Sequence, residues 1–340
     1  MDQALTGLEL RSLVTAEGTV RISLEPVEVR PPGPDEVVVR VEAAPINPSD
    51  LGLLFGPADP ETLRTAGSAE HPVLAADIPA RGMAIVAARV GQSLAVGNEG
   101  AGTVIAAGEK GGHLIGRRVG MIGGGMYAQF RKLPARDCIP LPEDASAADG
   151  ASMFVNPLTS LSFVETMRLE GHTAIIHTAA ASNLGQMLQR ICLADGIPLV
   201  NIVRSTEQAE LLRAIGAAHV IDSNAPDFRA QLIEAIAATG ATIGFDAIGG
   251  GNMASEILNA MEAAANRDLD GYSRYGSNAP KQVYIYGALD PAPTVIKRNF
   301  GYSWNLSGWL LFPFLERAGP DTATRLRQRV VDELRTTFAS

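Results

Sequence analysis

Residues 173–204 read as a strand, a turn of small residues, an amphipathic helix and a second strand. An apolar run over 173–178 enters Ala179-Ala180-Ala181-Ser182-Asn183-Leu184-Gly185, and a second apolar run ends at Arg204. Between them Leu184, Met187, Leu188, Ile191 and Cys192 recur at i, i+3, i+4, i+7 and i+8, which gives the helix one buried face. This is the first half of a βαβ unit. Small residues at its turn let a pyrophosphate approach the backbone, and the positive end of the helix stabilises the phosphate charge.

The glycine fingerprint of such turns is incomplete here. Its three positions fall on Ala180, Ser182 and Gly185, so only the glycine needed for close helix–strand packing is present. Ala180 and Ser182 are still small enough to lie beneath a phosphate, and Ser182 and Asn183 add donors. Taken alone, the loop fits an ordinary strand-to-helix turn equally well.

The flanking sequence favours the dinucleotide reading. His219–Asp222 is strand-like, 226–239 is helical, and 242–247 is an apolar run that meets Gly249-Gly250-Gly251. Another strand over 282–288 runs through Gly287 to Ala288. Repeated alternation predicts an α/β fold with a doubly wound parallel sheet, and such sheets bind ligands at the carboxyl ends of their strands. Ser182, Arg204, Asp246, Gly249 and Gly287 fall at or just after those ends. An acid after the second strand would bind the adenosine ribose hydroxyls of NAD; this chain has Arg204-Ser205 instead. A guanidinium pairs bidentately with a 2′-phosphate and stacks on adenine, which predicts NADPH. A solvent-exposed arginine without a ligand is the alternative.

The first 154 residues have another texture. Short strands over 37–41, 119–122 and 128–133 are punctuated by Gly and Pro, which predicts a compact β-barrel-like domain. Residues 57–95 read as an excursion of loop and helix, and the switch to strand–helix alternation near Val155 marks the domain boundary. A hydrophobic content of 46% with 19% charged residues allows large cores in a 340-residue, two-domain chain. The net charge of −9, with no Lys/Arg-rich block, argues against a nucleic-acid partner. The start lacks a basic segment before an apolar one, and the apolar stretch at 309–315 is too short to span a bilayer. Cys138 and Cys192 are isolated, which suits a reducing cytoplasm.

Five ordered segments carry a resemblance. They are Ile46-Asn47-Pro48-Ser49-Asp50, Val96-Gly97-Asn98-Glu99-Gly100-Ala101-Gly102, Val155-Asn156-Pro157-Leu158-Thr159-Ser160, Asn201-Ile202-Val203-Arg204 and Asp246-Ala247-Ile248-Gly249-Gly250. Over nearly its whole length the chain resembles the medium-chain dehydrogenase/reductase superfamily, and within it the zinc-independent quinone oxidoreductases and enoyl-thioester reductases. The resemblance implies a GroES-like catalytic domain over 1–154 and a Rossmann NADP-binding domain over 155–309. A segment over 310–340 would return to the catalytic domain, and nicotinamide and substrate would meet in a cleft between domains. It implies Asn47 and Thr159 beside the nicotinamide, and its carboxamide at Gly287 and Ala288. The phosphates would lie along Ala180, Ser182, Asn183, Leu184 and Gly185, the 2′-phosphate at Arg204 and Ser205, and the rest of the cofactor along Asp246 and Gly249. Tyr127 is a third candidate catalytic residue. Asn47 and Thr159 each also have a plain structural reading, as a turn residue and as a helix cap or packed residue. Asp50 is expected to fix a loop, and Glu99 to be a buried acid held by a partner. A homodimer is expected, with the aromatic-rich stretch 299–309 as core or interface.

Departures from the family pattern sharpen the expectation. Zinc-dependent relatives place Cys where Asn47 stands, His where Asn98 stands, and Cys or Asp near Val155. A catalytic zinc needs three nitrogen, sulfur or carboxylate ligands, which Asn, Asn and Val do not supply. The five histidines show no ligand spacing, and no four-cysteine cluster exists. No metal is expected. The tyrosine donor of enoyl-thioester reductases falls on Ala58, and no tyrosine occurs between 51 and 100. Relatives continue beyond the helix read over 321–334, so the first domain is expected to be incomplete and the chain to be a fragment or a shortened form. The expected activity is hydride transfer from NADPH to a quinone or an α,β-unsaturated carbonyl. A non-catalytic NADP(H)-binding regulatory or structural protein is the alternative.

Overall fold

The computed structural model describes residues 4–269 and 271–339, and divides into a unit running to Val155 and a second unit, Asn156–Phe338. The first unit contains β1 (Leu5–Val14), β2 (Thr19–Val29), β3 (Glu36–Ala43), α1 (Pro48–Leu54), β4 (Arg64–Gly67), β5 (Pro72–Asp77), α2 (Ala80–Val86), β6 (Ser93–Ala95), β7 (Glu99–Ala107), β8 (Arg118–Ile122), β9 (Phe130–Pro134), β10 (Cys138–Pro140) and α3 (Ala147–Gly150). They form two antiparallel five-stranded sheets, ordered β4-β5-β2-β1-β6 and β10-β8-β7-β3-β9. In β3 three successive valines, Val37, Val38 and Val39, are all fully buried. The strand lies between β7 and β9, so both its edges are paired, and the burial of successive valines shows that both its faces are covered. Val37 and Val39 pack with Val104, Leu114, Val119, Met121 and Leu133.

Residues 57–95 differ from the loop-and-helix reading, because β4, β5 and β6 lie within them. β5 pairs with β2 and β6 with β1. These strands are four, six and three residues long and carry little buried surface, so they have no period-two signal.

The second unit opens with α4 (Val155–Leu169) and continues through β11 (Ile175–His177), α5 (Asn183–Asp195), β12 (Leu199–Val203), α6 (Thr206–Ala214), β13 (His219–Asp222), α7 (Phe228–Thr239) and β14 (Ile243–Asp246). It goes on through β15 (Gly249–Gly251), α8 (Met253–Ala265), β16 (Lys281–Ile285), β17 (Asp290–Thr294), β18 (Trp304–Gly308), α9 (Leu311–Ala318) and α10 (Pro320–Asp332). Its main sheet is parallel with the order β13-β12-β11-β14-β16-β18. In order of appearance that is 3-2-1-4-5-6, the Rossmann arrangement, and the strand order reverses beside β11. All five residues of β12 are buried, as a strand covered on both faces requires.

Two further differences come from long-range pairing. β16 ends at Ile285, so Gly287 and Ala288 lie beyond the strand read over 282–288. β18 lacks an apolar run and exists as a strand because Trp304–Gly308 pairs in register with Lys281–Ile285.

The segment read as returning to the first domain lies in the second unit as far as Phe338. The Arg329 guanidinium donates to both oxygens of Asp195 at 2.9 and 3.0 Å, and Arg325 pairs with Glu165 at 2.8 Å. Leu326, Val330 and Leu334, spaced by four, are buried beneath. Among the described residues no helix is long and apolar enough to cross a membrane.

Candidate functional site

At the carboxyl end of β11 the chain turns through Ala179, the only non-glycine with positive φ (50°) among the described residues. Ser182 caps α5, its Oγ accepting from the Gly185 N–H at 3.2 Å. A Cβ on Gly185 would stand 2.1 Å from the Ala180 carbonyl oxygen, so helix and turn approach as only glycine allows. Ala180 itself is fully buried against Val203, Ala209 and Leu212. It shapes the turn from inside. The N–H groups of Asn183 and Leu184 belong to the first turn of α5, where no carbonyl four residues earlier accepts them.

Arg204 follows β12 and is exposed. Its backbone is anchored on both sides: the N–H donates to the Gln208 side chain at 3.1 Å, and the carbonyl accepts from Asn224 at 2.8 Å. Ser205 caps α6; its hydroxyl accepts from the Gln208 N–H and donates to Glu207 at 3.1 Å.

Asp246, at the end of β14, is fully buried. Its carboxylate accepts from Thr178 Oγ1 at 2.7 Å and from the N–H groups of Ile248 and Gly249 at 3.0 and 3.3 Å. Thr178 Oγ1 in turn accepts from the Ala247 N–H at 2.8 Å. The acid ties the ends of β11 and β14 together. A Cβ on Gly249 would lie 2.6 Å from the Gly287 oxygen, and one on Gly287 2.5 Å from the Ala247 oxygen. Both glycines therefore hold two strand ends in contact. Ala288 beside them is exposed.

Thr159 is buried on α4, one turn ahead of Phe163. Below it lies a pair the sequence reading missed. The Tyr286 hydroxyl sits 2.8 Å from His177 Nε2, and both rings pack on Phe163. Burial pushes His177 down to about 3, so it is neutral at any physiological pH. Such a pair leaves no signal in sequence, because its members are 109 residues apart.

In the first unit Asn47 is buried and precedes α1. The Asp50 carboxylate accepts from the Asn47 N–H at 2.8 Å and from the Asn98 N–H at 2.9 Å, fixing two loops at once. Asn47 Nδ2 donates to Glu99 Oε1 at 3.0 Å. The other Glu99 oxygen accepts from the N–H groups of Phe154 and Val155 at 2.8 and 3.0 Å. Burial raises Glu99 to about 7, outweighing the three hydrogen bonds that oppose it. The Tyr127 hydroxyl donates to the Pro45 carbonyl at 2.8 Å, and burial together with nearby Asp50 pushes its phenol above the ordinary tyrosine range. Asn47, Tyr127 and Glu99 thus share one polar cluster. Asn98 spends its side-chain amide on Ser49 at 2.8 Å. Among the described residues no group of three or more His, Cys, Asp or Glu could hold a metal ion.

Comparison with known proteins gives this arrangement a class. Residues 33–143 match the family model for the alcohol dehydrogenase GroES-like domain. A mitochondrial enoyl-acyl-carrier-protein reductase of Xenopus tropicalis is 32% identical over 213 residues, 59% of this chain and 51% of that protein. The chain spans about half the length of that curated relative. A proposed NADPH:quinone reductase of Mesorhizobium loti superposes with a TM-score of 0.71 at 27% identity, covering 99% of this chain and 89% of that one. An Escherichia coli quinone oxidoreductase, solved with NADPH, shares the fold with a TM-score of 0.66 at 19% identity, over 99% of this chain and 90% of its own. The chain has a GroES-like domain and a Rossmann-like domain. It resembles the quinone oxidoreductases and enoyl reductases of the medium-chain dehydrogenase/reductase superfamily.

Proposed function

We propose that this protein is an NADPH-dependent, zinc-independent reductase that delivers hydride to a quinone or an α,β-unsaturated carbonyl. The observation that carries the proposal is Arg204, exposed with an anchored backbone at the carboxyl end of the strand next to β11 in a 3-2-1-4-5-6 sheet. The residues fit a dinucleotide: the turn before α5 is built of small residues, Gly185 lets α5 pack closely on Ala180, and the first N–H groups of α5 are donors for a pyrophosphate. Arg204 and Ser205 would take the 2′-phosphate. Gly287 and Ala288 would meet the carboxamide, and Asn47 and Thr159 would orient the ring. Bound NADPH supplies the hydride. The chain's own part is to hold the acceptor close and to donate a hydrogen bond where charge builds on its oxygen.

The hydrogen bonds of Asn47, Asn98 and Asp50 support a site organised without zinc, and homology to named reductases disfavours the non-catalytic alternative. A cytoplasmic homodimer completes the proposal; sedimentation tests the dimer.

Arg204→Ala tests the cofactor assignment. A charge-assisted contact contributes about 1.5–3 kcal/mol, so NADPH affinity should fall roughly 10- to 100-fold while NADH affinity stays the same. Equal losses for both cofactors would remove the assignment. Turnover is read as loss of reduced-nicotinamide absorbance with a panel of quinones and enones, and silence across the panel would refute the activity.

A further inference from the structure

Asn47 is held at two points by two buried carboxylates. Asp50 fixes its backbone N–H, and Glu99 Oε1 receives its side-chain nitrogen at 3.0 Å. An ionised carboxylate only accepts hydrogen bonds. With the second Glu99 oxygen engaged by the N–H groups of Phe154 and Val155, Oε1 forces the nitrogen end of the Asn47 amide inward. The amide carbonyl then turns toward the first turn of α1, where Asn47 and Asp50 form a capping box. One N–H of the Asn47 amide remains to be offered to a ligand.

We propose that Glu99 is a positioning residue: its carboxylate locks the Asn47 amide so that Asn47 presents a donor, not an acceptor, to the oxygen of the cofactor carboxamide or of the reducible substrate. The role rests on the reading of Asn47 as a nicotinamide-side residue. It differs from simple packing support, because a protonated Glu99 can donate to the Asn47 carbonyl and the amide is then free to invert. The groups facing Glu99 are Asp50 of α1, Tyr127 and the backbone N–H groups at the start of α4; none is cationic. Burial raises Glu99 to about 7, which puts the inversion within reach of ordinary buffers.

Two measurements test this. The side-chain amide resonance of Asn47, assigned by its loss in Asn47→Ala, should titrate with a midpoint near 7 in the wild type and stay flat in Glu99→Gln. This readout needs no turnover, and a wild-type signal that does not move between pH 5 and 9 overturns the proposal. In kinetics, the Glu99→Gln side chain has a single oxygen, which has to serve the two backbone donors, so its NH₂ faces Asn47 and inverts it. Glu99→Gln should then lose roughly 10- to 100-fold in kcat and lack the wild-type decline in activity below pH 7. The pair Glu99→Gln with Asn47→Asp restores hydrogen bonding without a free donor. Its thermal stability should recover and its kcat should stay low; recovery of both would make Glu99 merely structural. If Asn47→Ala lowers kcat and Glu99→Gln does not, Glu99 has no positioning role and the reading of Asn47 survives. If Asn47→Ala leaves kcat unchanged, that reading fails first.

Discussion

Replacing Lys281 with methionine is expected to cost about 3–5 kcal/mol of stability, read as a lowered denaturation midpoint. The Lys281 ammonium is fully buried and lies 2.7 Å from Glu262, whose side chain is 5% exposed. It also donates to Ser277 Oγ at 2.9 Å and to the Ala279 carbonyl at 2.8 Å. The Glu262 carboxylate accepts further from the N–H and hydroxyl of Ser277 at 2.8 and 2.6 Å. Gly276 and Gly301 close around it, where a Cβ would come within 2.2 and 2.4 Å of its oxygens. Removing the lysine leaves an acid that water cannot reach and no cation neutralises. The pair joins α8 to the start of β16 and to the loop between them. The double replacement Lys281→Met with Glu262→Leu should recover much of the loss, because an apolar pair of similar volume carries no desolvation cost. A single-variant loss below about 1 kcal/mol would show that solvent relaxes around Glu262.

The second large effect is expected at Gly185. An alanine there sets its Cβ 2.1 Å from the Ala180 oxygen and 2.6 Å from the Ala180 carbonyl carbon. These are backbone atoms that cannot swing aside. The Ala180 N–H is bonded to the Ile202 carbonyl at 3.2 Å, and its methyl is packed among Val203, Ala209 and Leu212. The turn or the helix start has to shift, at a cost of about 3 kcal/mol, the upper end for overpacking. At a turn proposed to hold the pyrophosphate, the same shift is expected to lower NADPH affinity as well. Gly52 is the control. It sits inside α1 with nothing within 4 Å of an added Cβ, so Gly52→Ala should stabilise the protein by about 0.5–1 kcal/mol. Calorimetry of NADPH binding and thermal melts of both variants check the contrast. Equal behaviour of the two would mean that close approach at Gly185 is not what the turn requires.

Legibility in the sequence followed the range of the interaction. His219–Asp222 is a strand with the bounds read from its pattern, and the helix read over 226–239 is α7, Phe228–Thr239. Both signals are local periodicities. The three strands within 57–95 and the edge strand Trp304–Gly308 were missed because they are short and take their shape from the strands beside them. The apolar stripe Leu326, Val330, Leu334 announces a helix but does not say which core it covers; the ion pairs of Arg325 and Arg329 do. Gly185 was legible as the glycine that lets α5 pack close to the turn, because steric size belongs to the residue itself, whereas the exposure of Arg204 agrees with both of its readings. Asp246 looked like a ligand contact from its place after a strand, and its carboxylate is spent inside the protein on Thr178, Ile248 and Gly249.

By itself, the order of residues determined the class of fold, the small-residue turn before α5 and the cation that follows the second strand, because period, size and charge act over a few neighbours. Only the tertiary structure decided which buried polar atoms face one another: Asn47 with Glu99 across 52 positions, His177 with Tyr286 across 109, and Lys281 with Glu262. The physical reason is desolvation. Once water is removed, each donor and acceptor has to find a partner in the folded chain, and that choice is made in space and not along the sequence.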